Sequence, residues 1–415
     1  MMFSRPSYAI GLDIGTTSVK AVQASVKSGR LCLERVGYAE VSPEAMNEDP
    51  TTAQANAVSE ALERMPVSQS LVVGALPGQA VVIRYKMFPE YEGAALEQAV
   101  QTEAAQNIPY EMSDVMLDWS MLDHVAEGDN SKMKVLMVAA LYDNITNRVL
   151  IADAADIQYG ALSVDSLALA DAAEGCDFLR VGESVALINL GAANTSIHFM
   201  KDGISNFIRD VNWGARDCVQ AIAKSRRCDL KQAQREMLEA GVDMSAPEEP
   251  PPLPFEEGAE DSASSAEGSE TPALEAMGGN PLDPLSEELE TMGSPAPDAI
   301  SSASALSAPS EDKSIKDLVG APLQKLVGEI RRSFDYYEQQ LYEHAVDRVV
   351  ISGGIAEFPL IAETLTDELG IDVEVANPLD SALLLRSGSD TGVMSEQPAQ
   401  FMVAVGLAAR GASQL

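Results

Sequence analysis

Two stretches carry residue types suited to holding an anion. Residues 8–20 read Tyr-Ala-Ile-Gly-Leu-Asp-Ile-Gly-Thr-Thr-Ser-Val-Lys, an apolar strand that breaks into a small, hydroxyl-rich glycine turn. Residues 185–200, Val-Ala-Leu-Ile-Asn-Leu-Gly-Ala-Ala-Asn-Thr-Ser-Ile-His-Phe-Met, nearly repeat it. A small turn brings backbone N–H groups and hydroxyls close to an anion, so two facing copies suggest a phosphate clamp. In the first copy Asp13 would face a metal through water and Lys20 would face phosphate, with Gly15, Thr16 and Thr17 forming the bend. In the second, Asn189, Gly191, Ala192, Asn194 and Thr195 take the corresponding places. A tight structural hairpin has the same composition, and it is the second copy that gives the pattern its weight.

A third stretch, Arg348-Val-Val-Ile-Ser-Gly-Gly-Ile-Ala-Glu-Phe-Pro359, reads as a buried strand ending at Gly353-Gly354 and leading to a helix begun near Pro359. Backbone without Cβ lets a flat ring or ribose lie against the chain, and the helix N-terminus behind it favours a negative ligand. An ordinary strand-to-helix turn with positive φ would use the same residues.

These pieces need a framework, and the chain alternates strands and helices as an α/β protein does. Strand patterns fall at 31–41, 70–75, 80–88, 116–122, 134–141, 185–190, 195–201, 348–352 and 372–375. Helix patterns fall at 52–65, 95–107, 142–155, 215–240, 316–343 and 359–369. In the 316–343 run an apolar stripe from Leu318 to Leu341 reads as core packing, with Arg331 and Arg332 off the stripe and toward solvent.

The 415 residues carry a net charge of −36. That argues against nucleic acid or an anionic lipid surface as partner, since both call for basic clusters. No Lys or Arg occurs between Met237 and Lys313, while sixteen acidic residues fall in 245–312. This Pro-, Ser- and Glu-rich stretch has too few large apolar side chains to offset its ordering entropy and is expected to be disordered. A short helix around 284–292 within it is a candidate docking motif, with a fluctuating turn in a tether as the preferred reading. Cys32, Cys176, Cys218 and Cys228, and His124, His198 and His344, show no metal-ligand spacing. No apolar run long enough to span a bilayer and no export signal are found, so the chain reads as cytoplasmic.

The order and spacing of the two glycine turns and the Gly-Gly turn resemble the superfamily of actin, sugar kinases and heat-shock ATPases. Plausible matches to its connecting helices are Val164-Asp-Ser-Leu-Ala-Leu-Ala170 and Met402-Val-Ala-Val-Gly-Leu-Ala-Ala-Arg410. Within it the chain most resembles the PilM-type type IV pilus assembly proteins, relatives of the division protein FtsA. The most specific pieces are Ala75-Leu-Pro-Gly-Gln-Ala-Val-Val-Ile-Arg84, residues 97–119, and Asn212-Trp-Gly-Ala-Arg-Asp-Cys-Val-Gln-Ala-Ile-Ala223. The resemblance implies an α/β, actin-like two-lobed ATPase fold with duplicated RNase H-like cores, a small inserted FtsA-like subdomain and a disordered acidic insertion. The first lobe would occupy 1–69, the inserted subdomain 70–160, and a connecting helix 161–182. The second lobe would occupy 183–244 and 313–380 around the 245–312 insertion, and 381–415 would return to the first lobe.

The family also implies ATP with Mg²⁺ as cofactor, Gly214, Gly353, Gly354 and Ile355 along the nucleoside, and the N-terminal tail of a PilN-like inner-membrane protein as partner. The tail's groove is expected within residues 74–122, with Met116, Leu117 and Trp119 as apolar wall or as subdomain core. The protein would then sit at the inner membrane through its partner. Asn189 departs from the Asp that many superfamily ATPases place there, which removes a charge from the metal's surroundings. Asp165 is a candidate to orient water, though a helix-capping or surface role is the preferred reading, and little or no turnover is expected. Rival readings are a small-molecule kinase, which needs a carboxylate base between the lobes, and an FtsA-like membrane tether, which needs a basic amphipathic terminal helix that 406–415 does not supply.

Overall fold

The structure is a computed structural model that describes residues 6–91, 93–127, 130–243, 313–340, 345–380, 384–385 and 391–415. The expected disordered stretch 245–312, its candidate short helix and His344 lie outside the described residues.

The chain begins with β1 (Tyr8–Ile14), β2 (Ser18–Lys27) and β3 (Arg30–Glu40), then α1 (Pro43–Glu48), α2 (Pro50–Leu62) and β4 (Ser70–Leu76). It continues through β5 (Val81–Pro89), α3 (Ala94–Asn107), β6 (Val115–Glu127), β7 (Asn130–Leu141), α4 (Tyr142–Ala154), β8 (Ala161–Val164) and α5 (Asp165–Gly175). The next part comprises β9 (Ser184–Leu190), β10 (Thr195–Lys201), β11 (Ile204–Val211), α6 (Ala215–Arg226), α7 (Leu230–Asp243) and α8 (Ile315–Asp335). It closes with β12 (Arg348–Ser352), α9 (Pro359–Leu369), β13 (Asp372–Val375), β14 (Leu384–Leu385), α10 (Val393–Glu396) and α11 (Met402–Ala412).

Two sheets repeat one topology. In the first, β3-β2-β1-β4-β8 run in that order, with β3, β2 and β1 antiparallel and β4 and β8 parallel to β1; β14 adds an edge beside β3. In the second, β11-β10-β9-β12-β13 show the same order and the same directions. β1 and β9 are covered on both faces, which is why each reads as a nearly continuous apolar run. Ile10, Leu12 and Ile14 of β1 pack toward α2, while α11 crosses the other face so closely that a Cβ on Gly11 would lie 2.0 Å from the Ala404 carbonyl oxygen. Ala186, Ile188 and Leu190 of β9 pack on α6, α8 and α9, while Val185 and Leu187 face α5 and α11.

A third sheet, β5-β7-β6, is antiparallel and carries α3 on one face. This small body spans less than the 70–160 expected from the sequence. β4 belongs to the first lobe's sheet, and Ile151 and Ala152 of α4 pack into that lobe's core. The expected helix at 215–240 is two helices: Arg227 takes a left-handed φ of 55°, and the Asp229 carboxylate then accepts the Gln232 N–H to start α7. Strands β2, β8, β11 and β14 were not among the expected strand patterns. Among the described residues no helix is long and apolar enough to cross a membrane.

Candidate functional site

The two glycine turns close in the same way. Gly15 N–H donates to Ser18 O at 3.0 Å, and Gly191 N–H donates to Asn194 O at 3.0 Å. In the first turn the carbonyls are held from behind: Gln54 Nε2 donates to Gly15 O and Arg148 Nη1 to Ile14 O. Thr16 and Thr17 remain exposed. Asp13 and Lys20 are cross-strand partners with Nζ and Oδ2 3.8 Å apart. That is an ion pair too long for a hydrogen bond, so the largely buried ammonium keeps donors for another acceptor.

The second turn is fastened to α6. Ala215 N–H and Arg216 N–H donate to Gly191 O and Ala192 O, both at 3.0 Å. Gly214 packs directly on the Ala192 and Ala193 backbone. Trp213, fully buried, donates through Nε1 to Pro322 O of α8 and so fixes the bend. Thr195 was expected to hold an anion. Its place in β10 instead points it into the lobe, where its hydroxyl donates to Trp213 O at 2.9 Å. Asn194 donates to Gln79 Oε1 and Gln79 to Asn212 Oδ1, so a residue between β4 and β5 bridges to the second lobe.

Gly353 follows β12, whose Ser352 is paired with Asn189. Its φ of +101° and a Cβ position only 2.3 Å from Leu190 O admit glycine alone. Gly354 is exposed with open space beside it, while Ile355 is in the second lobe's core. The structure thus brings the second turn, Gly214 and Gly353 together, and it turns Thr195 and most of Ile355 away from solvent.

Two carboxylates complete the picture. Asp165 opens α5 and accepts the Ser166 N–H at 2.6 Å and the Gly78 N–H. Burial, then the neighbouring Asp210 charge, pushes its pKa up to about 7, with Asp13 adding to the effect. Of the helix-capping or surface role preferred from the sequence, the place at the start of α5 with a first-turn N–H accepted fits the first half, while the surface half gives way to a set-back carboxyl between elements of both lobes. Burial lifts Asp210, on β11, to about 6. Asp210 was missed because β11 was missed; its signal was the Asp202-Gly203 pair after β10, a two-residue hairpin turn with both φ positive.

Beside this lies buried His198, whose Nδ1 is 3.0 Å from Ser166 O and whose Nε2 is 2.7 Å from Ser205 Oγ. A carbonyl only accepts, so Nδ1 carries the proton, Ser205 donates to Nε2, and Tyr85 OH, 2.5 Å away, donates to Ser205. Burial pulls the His198 pKa down to about 4.

A cavity of about 190 Å³ runs between β5 and β11, lined by Gly78, Val81, Val82, Ile83, Arg84, Ile208 and Asp210. Each of these strands is the edge of its sheet. Of the two readings, wall or core, Leu117 and Trp119 follow the second and pack against the small sheet's own core, while Met116 is exposed on the opposite edge strand. Alternation along β6 sends them to opposite faces.

Paired sheets that share one five-strand topology, each ending its first strand in the same glycine turn, define a two-lobed protein of the actin-like fold class. The family model for type IV pilus assembly protein PilM matches residues 11–246 and 312–412. The chain belongs to that family. A solved PilM–PilN type IV pilus biogenesis complex has the same fold, with a TM-score of 0.69 and 22% identity over 99% of both chains. Ethanolamine utilization protein EutJ from Carboxydothermus hydrogenoformans matches at a TM-score of 0.49 and 12% identity, over 98% of this chain and 91% of that one.

Proposed function

We propose that the chain is a nucleotide-binding scaffold of a type IV pilus assembly complex, taking Mg·ATP between its lobes and the N-terminal tail of a PilN-like membrane protein along the small sheet. The observation that carries the nucleotide reading is the matched pair of turns, each closed by a glycine N–H and each at the end of the central antiparallel strand of its lobe. Lys20, Gly15, Thr16 and Thr17 would bind phosphate from one side, Asn189, Gly191, Ala192 and Asn194 from the other. Gly214, Gly353 and Gly354 would border the nucleoside, and Asp13 would face metal-bound water. The metal, when bound, screens the triphosphate charge. Asn189 adds no charge to it, so the reading is binding with little turnover.

For the partner, β5 offers a strand edge that has no ladder partner among the described residues, beside the cavity, and an extended tail laid there gains main-chain hydrogen bonds with pockets for alternate side chains. The protein would thereby be held at the cytoplasmic face of the inner membrane through its partner. Calorimetric titration of the full-length protein with Mg·ATP tests the first half. Wild type is expected to bind, and Lys20→Ala to bind ~1–3 kcal/mol more weakly through loss of a charge-assisted contact. Equal affinity removes Lys20 from the site, and no binding by wild type ends the nucleotide reading.

A further inference from the structure

Residues 77–80, the turn that joins β4 to β5, are held to the first lobe on three sides. β4 is paired with β1 and β8 in that lobe's sheet. Ala80 O accepts the Asn144 amide of α4 at 2.9 Å, and Gly78 N–H donates to Asp165 at the start of α5. Ala80 N–H closes the turn on Pro77 O at 2.8 Å, and the proline ring fixes φ at −66° where it begins. The turn is therefore a rigid projection of the first lobe.

Its tip reaches the second lobe. Gln79 Oε1 accepts from Asn194 Nδ2 at 2.9 Å, and Gln79 Nε2 donates to Asn212 Oδ1 at 2.8 Å. Both asparagines are held in place independently of this contact: Gly191 N–H closes the second glycine turn on Asn194 O, and Lys325 of α8 donates to Asn212 O. Ordering the Gln79 side chain is then the main entropic cost of the contact. Gly78, beside it, is buried against Asp210 of β11, and a Cβ there would lie 2.3 and 2.4 Å from the two carboxylate oxygens. Its φ is not positive, so what a side chain would meet here is the second lobe and not a strained backbone. Tyr85 and Lys134 of the small sheet touch Ser205 and Asn206 at the other end of β11, which leaves Gln79 as the tie made to the glycine turn itself.

We propose that residues 77–80 form a latch across the cleft: Gln79 clasps Asn194 and Asn212 while Gly78 seats on Asp210, and the lobes part at the second glycine turn only when this contact is released. Opening of the latch then gates nucleotide entry and release, the part of the inference that rests on the nucleotide reading. The clasp uses one of the two Asn194 amide hydrogens, so a latched Asn194 keeps a donor for phosphate. Two neutral hydrogen bonds between exposed side chains bias the closed arrangement by about tenfold. That is enough to favour closure without a ligand and weak enough to yield to thermal opening.

The test reads the distance between the lobes in the full-length protein by single-molecule fluorescence transfer. Dyes are placed on Glu60→Cys of α2 and Asp367→Cys of α9 in a Cys228→Ser background, the other three cysteines being buried. Nucleotide-free wild type is expected to show one dominant high-transfer population. Gln79→Ala raises the ratio of low- to high-transfer molecules by about tenfold, and Asn212→Ala, which removes one of the two bonds, by about threefold. Gly78→Val drives the lobes apart in the same sense without deleting a hydrogen-bonding side chain; Gln79 is exposed, so Gln79→Ala serves if the valine variant fails to fold. Unchanged transfer in Gln79→Ala, or a wild type that is already open, overturns the latch. Stopped-flow mixing with a fluorescent ATP analogue and Mg²⁺ then reads the gating, with association and dissociation both expected to be faster in Gln79→Ala; equal rates overturn the gating. A wild type that binds no analogue ends the nucleotide reading, while the transfer measurement still decides the latch.

Discussion

His198 is held neutral by its surroundings: a carbonyl takes its Nδ1 proton, and a serine hydroxyl satisfies Nε2. Charging the ring would turn Ser205 from donor to acceptor and place a cation in a buried site. Its pKa falls from the ordinary 6.5 to about 4 in the folded protein, so the unfolded chain takes up the proton first. The stability linked to this residue is complete above pH 6.5 and is lost as pH falls from there toward 4. Asp165, one residue from Ser166, has its pKa raised and works in the opposite direction; a variant comparison separates the two because Asp165 is common to both proteins. His198→Gln is expected to be less stable than wild type at pH 7.5, with the gap narrowing by ~1–2 kcal/mol between pH 6.5 and 5 in urea denaturation. Parallel stability curves would mean that the imidazole does not titrate in this way. At this scale the sequence was partly legible. The spacing of Asp13 and Lys20 around a glycine turn announced a pair, whereas the direction of Thr195 depended on its parity in β10 and the burial of Asp165 on a lobe far along the chain.

β1, β9 and β12, buried along almost their whole length, were legible as short apolar runs that lead into glycine. β11 escaped because its outer positions are polar where they meet other parts of the molecule, as when Lys134 donates to Asn206. The break between α6 and α7 is a local event, a left-handed Arg227 followed by an aspartate cap, inside a run whose periodicity looked continuous. The crossing of α11 on α5 shows a constraint that periodicity cannot reveal. Arg410 ties the pair through Nε and Nη2 to the Asp171 carboxylate at 2.6 and 3.1 Å, and a Cβ on Gly406 would lie 1.7 Å from the Ala168 carbonyl oxygen. Gly406→Ala therefore forces the helices apart and is expected to cost ~1–3 kcal/mol in chemical denaturation. Gly320→Ala, in α8 with open space at its Cβ position, is expected to be neutral or to gain up to ~1 kcal/mol from helix propensity alone. Equal effects at the two glycines would show that the close crossing is not what selects glycine at 406.

At the scale of the whole molecule, the duplication was legible because the turn itself is repeated, while the limits of the inserted body were not, since β4 and α4 look like their neighbours until the sheets are paired. The arrangement joins three parts by one directed chain of hydrogen bonds: Tyr85 of the small sheet to Ser205, Ser205 to His198 of the second lobe, His198 to Ser166 at the start of α5 in the first. The far end adjoins Asp165 in the proposed nucleotide cleft, and the near end is on β5, the proposed edge for the partner's tail. A ligand shifts such an assembly only through unequal affinity for its arrangements, and coupling between two sites must be reciprocal. If the proposed sites communicate, Mg·ATP changes tail-peptide affinity by some factor, on the order of 5–150-fold for coupled sites, and the peptide changes ATP affinity by the same factor. Tyr85→Phe keeps the ring in place and leaves Ser205 donating to His198, but removes the link between β5 and β11. It is expected to leave each ligand's separate binding nearly intact while drawing both ratios toward one, measured by calorimetry for ATP and by fluorescence anisotropy for a labelled peptide. Ratios that stay at the wild-type value would place the coupling elsewhere, in the Asn194–Gln79–Asn212 bridge that also spans the lobes.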